Sequence, residues 1–208
     1  MAWTKAVRMS SIAIFASGAM SGLVMSGSVA TALQRGSGQQ DMKALDVLVA
    51  KDQIRDQIYN YSRGLDRMDR PLALQVFHPD SLVTQPGPTG GGFKGTGAEW
   101  VAHAWSVHEK IAAHTHQMTN TLIKVNGDKA SSETYAMASL RAEPTPTESN
   151  TQLIRVRYVD TWSRRSGRWA IDTRNIVVDF TTADKTTGPN RGSVGHRDKT
   201  DPSYAAYF

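Results

Sequence analysis

The stretch IRDQIYNYSRGLD (residues 54–66) ends on an acid, Asp66, and much later in the chain two histidines stand two apart in His114-Thr115-His116. A carboxylate that hydrogen-bonds one ring nitrogen of a histidine fixes the imidazole tautomer and stabilises the imidazolium. The other nitrogen is then left to take a proton. Proton abstraction from carbon beside a carbonyl builds negative charge on oxygen, which a phenol or guanidinium aimed there stabilises. On an ideal helix Ile54, Ile58, Tyr61 and Leu65 make one apolar stripe, and Asp66 falls roughly a third of a turn from it. Two positions are therefore open to Asp66: solvated near the helix C-terminus, or turned inward to a buried base.

Other chemistries are poorly supplied. There is no Cys, which excludes disulfides, thiolate zinc sites and cysteine nucleophiles. His103, His108, His114 and His116 crowd into a short span, yet His103 and His108 diverge on a helix, and no His-Glu-x-x-His or His-x-x-Glu-His spacing occurs. Only His114 and His116 share a strand face, so no metal or other cofactor is expected. The formal charge of +5 includes Lys5 and Arg8; without residues 1–32 it is +3, and the remaining basic residues are spread among acids. The densest run, RRSGR (164–168), sits at an expected hairpin turn, so no nucleic-acid partner is expected.

The elements that must position these residues follow from pattern. Residues 1–32 have a weakly basic start, an apolar stretch over 12–25 diluted by Gly and Ser, and small residues at Ser28, Ala30 and Ala32. This reads as a secretory signal peptide and predicts a periplasmic or secreted protein, with an apolar part too short for a stable membrane span. Residues 33–44 read as a linker, 45–180 as one domain and 181–208 as an irregular tail, whose aromatic end at 204–208 is expected to dock on some surface.

Within the domain a long first helix ends near Leu65. A short second helix with Asp69 as N-cap and Pro71 in its first turn carries Leu72, Val76 and Phe77 inward. A short strand at 81–85 leads to the loop PGPTGGG (86–92), of a kind that borders pocket mouths. A capping box, Thr96 to Glu99, opens a third helix through Trp100, Trp105 and Ile111. Period-two patterns over 115–125, 131–141, 151–164 and 168–180 flank turns at Asn126-Gly127-Asp128 and Arg165-Ser166-Gly167, giving four long antiparallel strands. Ile154, Val156, Tyr158 and Trp162 share one face of the third of these; Arg155, Arg157 and Val159 share the other. The order predicts an α+β cone in which a curved antiparallel sheet wraps the long N-terminal helix around a central pocket.

At this point the chain resembles the SnoaL-like group of the nuclear-transport-factor-2-like (NTF2-like) superfamily over residues 45–180. The resemblance is carried by IRDQIYNYSRGLDRMD, FHPDSLV, HTHQMTN and RYVDTWSRRSGRWAIDTRNIVVDF. It implies an enzyme similar to the bile-acid dehydratases, scytalone dehydratase and hexachlorocyclohexane dehydrochlorinase, with catalytic Asp66, His116 and Arg174. Five residues before the acid the dehydrochlorinase has a Lys and the bile-acid enzyme a Tyr. Tyr61 stands there in this chain, which moves the expectation from loss of chloride to loss of water. Asp66 would orient His116, His116 would be the base, and Tyr61 and Arg174 would steady the oxyanion. His114 would sit behind the site or at the surface. Phe77, Trp105 and Tyr135 are the expected substrate contacts, with Tyr135 where the bile-acid enzyme carries an acid.

The implied function is a cofactor-independent dehydratase of a hydrophobic cyclic hydroxy-ketone such as a steroid or polyketide-like compound. An isomerase or cyclase using the same base, or a non-catalytic exported binding protein, are the alternatives. Homo-oligomers, dimer or trimer, are implied by the resemblance alone. From the residues themselves Tyr61 could equally be core, and Arg174 could be spent on an ion pair across the sheet.

Overall fold

Ile54, Ile58, Tyr61 and Leu65 do form a single stripe, and all four are buried, with at most 1% of their surface exposed. Each contributes about 2 kcal/mol through burial. They lie on helix α1 (Gly27–Asp66) of a computed structural model. The structure describes the backbone of residues 27–89, 91–188 and 195–207, and the side chains of 42–89, 91–188 and 195–206. The chain divides into two units, Met1–Asp41 and Met42–Phe208. In the first, most of the expected signal peptide lies outside the described residues. The backbone of 33–44, expected as a linker, is helical; Ala, Leu, Gln and Arg there favour a helix and no Pro interrupts it.

The second unit holds the site. Asp69 caps α2 (Arg70–Leu74) by accepting from the Leu72 amide at 3.2 Å. Ala73 is the buried residue of this short helix, and Leu72, expected inward, is half-buried. Val76 and Phe77 point inward as expected, but beyond the helix end. Gly64 is the point of closest approach, since a Cβ there would stand 2.6 Å from the Ala73 backbone nitrogen. Here α1 and α2 meet.

Strand β1 (Phe77–Pro86) turns back through the Gly- and Pro-rich loop into β2 (Gly92–Gly95), a strand the pattern did not show. Thr96 then caps α3 (Gly97–His108) with both halves of the capping box formed. Four long strands follow: β3 (Ala113–Asn126), β4 (Lys129–Thr145), β5 (Glu148–Arg165) and β6 (Arg168–Thr187). They make one curved, unclosed six-stranded sheet in the order β2-β1-β6-β5-β4-β3, with helices at the N-terminal side. The expected all-antiparallel sheet is corrected in one place, because β1 runs parallel to β6. The turns behave as predicted: Gly127 at φ 57° and Ser166-Gly167 at φ 51° and 80° occupy the left-handed region that tight hairpins need.

Alternation sets what faces the core. Along β5, Val156, Tyr158, Asp160 and Trp162 are buried, while Arg157 and Val159 lie on the outer face. Along β4, Ser132, Thr134, Ala136 and Ala138 point inward. The tail is more regular than expected. β6 runs on to Thr187 and α4 (Pro202–Tyr207) follows. Tyr204 docks on its own chain: its hydroxyl donates to Asp69 Oδ2 at 3.1 Å and Arg63 lies 4.7 Å over its ring. Among the described residues no helix is long and apolar enough to cross a membrane.

Candidate active site

Asp66 takes the inward position. Its Oδ1 lies 2.7 Å from His116 Nδ1, and its Oδ2 accepts from the His116 backbone amide at 2.9 Å. The same carboxylate therefore holds both the ring and the strand that carries it. The His116 side chain is 6% exposed and the Asp66 side chain 15%. With Nδ1 given to Asp66, Nε2 is left free to act as a base toward a bound molecule.

His116 lines a cavity of about 180 Å³, walled mainly by apolar groups such as Leu65, Trp100, Ala104, Ile154, Val156 and Ile176. A wider recess of about 830 Å³ shares Gln85, His103 and Val178 with it, and is bordered by Pro86, Gly87, Pro88 and Gly92 of the loop. The expectation that this loop frames a pocket mouth holds.

Tyr61 lines the same cavity and is 1% exposed. Its oxygen accepts from Trp100 Nε1 at 2.7 Å, so its own proton remains available to donate. Burial raises the pKa of this phenol above its ordinary value, only partly offset by Arg174 and the Trp100 bond, which keeps it a donor at neutral pH. Tyr158, also on the wall and buried, is raised further for the same reason.

Arg174 is elsewhere. It is 1% exposed, does not line the cavity, and gives Nε and Nη2 to the two oxygens of Asp160, each at 2.8 Å. The two residues are direct cross-strand partners on the inner face. Burial opposes the charge on Arg174, and Asp160 more than restores it. The guanidinium lies 4.3 Å from the centroid of the Tyr61 ring and 4.5 Å from that of Tyr158, the two rings that stand on the cavity wall in front of it. The ion pair across the sheet is the role it fills here.

The expected substrate contacts are also rearranged. Phe77 is core, packed edge-on against Tyr61 at 5.9 Å. Trp105 packs against the core without lining the cavity. Tyr135 is 38% exposed on the outer face, below Arg157; with Thr134 and Ala136 inward, period-two alternation forbids it the pocket. In their place stand Trp100, Tyr158 and His108.

His114 is buried, its Nε2 donating to the Leu65 carbonyl at 2.9 Å. Among the described residues no group of three or more His, Asp or Glu is arranged to hold a metal ion. His108 and Asp160 were missed from the sequence. The signal for Asp160 was its parity with Tyr158 and Trp162, an acid on an otherwise apolar strand face.

The profile of the SnoaL-like domain matches residues 46–175. No curated protein sequence matches the chain significantly. Among solved structures, a scytalone dehydratase-like protein from Novosphingobium aromaticivorans superposes with a TM-score of 0.56 at 20% identity, covering 70% of this chain and 97% of that one. A type 2 hexachlorocyclohexane dehydrochlorinase gives 0.55 at 19% identity over 70% of this chain and 92% of that one. A type 3 dehydrochlorinase from Novosphingobium barchaimii gives 0.55 at 20% identity, over 66% and 91%. At these identities the likeness is one of fold, the NTF2-like cone.

Proposed function

The chain belongs to the SnoaL-like family, and from that premise we propose that it is a cofactor-independent lyase that removes water from a hydrophobic cyclic β-hydroxy-ketone. The observation that carries this reading is the Asp66–His116 pair, bonded at 2.7 Å, with the imidazole on the wall of an apolar cavity. His116 Nε2 takes the proton from the carbon beside the carbonyl, and Asp66 stabilises the imidazolium that forms. The Tyr61 hydroxyl, its oxygen already engaged by Trp100, donates to the carbonyl oxygen as charge develops there. Collapse of the enolate forms the C=C bond and breaks the C–O bond. The departing oxygen leaves as water after taking back a proton.

Two structural neighbours, a scytalone dehydratase-like protein and a dehydrochlorinase, are named for eliminations, which supports this class of reaction. Cavity size narrows the substrate. About 180 Å³ is of the order that holds a single aromatic ring, for which roughly 150 Å³ suffices. A one- or two-ring polyketide-like compound is therefore favoured over a steroid, whose further rings would have to extend into the adjoining recess.

The test is mass spectrometry of a panel of one- and two-ring β-hydroxy-ketones incubated with the protein and with His116→Ala. The expected result is loss of one water with the wild type only. Unchanged mass with an altered chromatographic retention that needs His116 would point to an isomerase instead, and no change with any compound would sink the enzymatic reading.

A further inference from the structure

The cavity wall carries a second imidazole whose bonding is unfinished. His108, the last residue of α3, is 5% exposed, lines the cavity, and has no hydrogen-bond partner for its buried Nδ1. Its ring stacks on His114, with centroids 4.0 Å apart and planes inclined by 19°, and its centroid lies 5.4 Å from that of His116.

The orientation of this ring is held from behind. His114 is fixed by its bond to the Leu65 carbonyl, and Arg197 Nη1 donates to the His108 carbonyl at 2.8 Å while reaching His114 Nδ1 at 3.5 Å. Burial, with the neighbouring histidines and Arg197 adding to it, lowers the His108 pKa to about 3. The ring is therefore a neutral hydrogen-bonding group near neutral pH rather than a second cation.

A Phe or Leu would fill this place and stack or pack as well without burying a polar ring that the protein leaves incompletely bonded. The groups that remain to complete it are those of a molecule in the cavity.

Resting on the lyase reading above, we propose that His108 hydrogen-bonds the departing hydroxyl of the substrate and holds it within reach of protonated His116. The balance is closed. The proton that His116 Nε2 takes from carbon is returned to the hydroxyl oxygen as the C–O bond breaks, its electron pair goes to that oxygen, and water leaves with both histidines neutral. His108 moves no proton overall and acts by contact with the leaving group. Tyr61 is then free to serve the carbonyl alone, so the cavity recognises the two oxygens of a β-hydroxy-ketone at two different places.

The experiment compares His108→Phe, which keeps the stack and removes the hydrogen bond, with His108→Asn, which restores a hydrogen-bonding group at about the reach of the unpartnered Nδ1. Two readouts are taken on the full chain. The first is kcat and KM for a compound the wild type dehydrates. The second is the binding preference, by calorimetry, for β-hydroxycyclohexanone over cyclohexanone, which differ only in the hydroxyl.

The expected result is a fall in kcat/KM of about thirtyfold and loss of the hydroxyl preference in His108→Phe, with most of both regained in His108→Asn. Cyclohexanone affinity should be unmoved in all three proteins. A wild-type hydroxyl preference that survives in His108→Phe overturns the proposal, as does an equal loss of affinity for both ketones in the two variants, since that marks a structural role. Failure of the lyase reading is distinguishable, because it shows as no water loss by the wild type, whereas the binding preference reads His108 without turnover.

Discussion

Two carboxylates of this fold each hold a nitrogen base by two hydrogen bonds, and they do opposite things. Asp66 holds the ring and the backbone of His116 beside a cavity; Asp160 holds two nitrogens of Arg174 behind a wall of tyrosines. The first pair stays in contact with the cavity through the His116 ring, which lines it. The second is sealed, with side-chain exposures of 1% and 0%, around a base that stays charged throughout the working range. Similar pairing chemistry thus leaves an imidazole on a cavity wall in one place and a sealed, fixed charge in the other. The difference lies in whether a ligand in the cavity can reach the nitrogen base.

Removing the base tests the first half of that contrast. His116→Ala should lower turnover by about a thousandfold, and Asp66→Asn should approach it, with circular dichroism and thermal midpoint little changed. The second half should fail in the opposite sense. Asp160→Asn strands a buried guanidinium and should cost about 3–5 kcal/mol in denaturant unfolding. Replacing both members, Asp160→Leu with Arg174→Met, should recover much of that stability; activity within about tenfold of wild type would show that Arg174 works only through the rings of Tyr61 and Tyr158.

Tyr61 lies where the two halves meet. Tyr61→Phe should reduce kcat by about a hundredfold while destabilising the fold by only about 1 kcal/mol, the loss of its bond with Trp100.

The smallest effect concerns acid. His108 is lowered to about 3 in the fold, against about 6.5 for an ordinary histidine. Between these values the unfolded chain binds a proton that the folded one refuses, so stability must fall as pH drops through that window. Unfolding midpoints measured from pH 7 to pH 4 should show this decline, and His108→Phe should flatten it.

Much of this arrangement was legible in the residues. The apolar stripe of Ile54, Ile58, Tyr61 and Leu65, the Thr96–Glu99 capping box, and the alternation around Asn126-Gly127-Asp128 and Arg165-Ser166-Gly167 are local patterns with local causes. They fixed four strands and two helices, and they left Asp66 needing a partner. What could not be read depends on register. Arg174 faces Asp160 because of how β5 and β6 pair, including an irregularity between Thr161 and Trp162.

Tyr135 was assigned to the pocket by analogy of region, and a single-residue step of parity puts it outside. β2 was hidden because its four residues, Gly92–Gly95, carry almost no apolar pattern and owe their form to pairing with β1. The partnership of His108 with His114 joins a helix end to a strand, which no spacing along the chain expresses.

The most direct measurement of the central claim follows the proton itself. A cyclic ketone that fits the cavity but has no leaving hydroxyl is incubated with the protein in deuterated water, and deuterium at the carbon beside the carbonyl is read by NMR. Enzyme-dependent exchange that vanishes in His116→Ala and in Asp66→Asn is the predicted result. Exchange at the wild-type rate in His116→Ala, or dehydration by a wild type that exchanges nothing, would contradict His116 as the base.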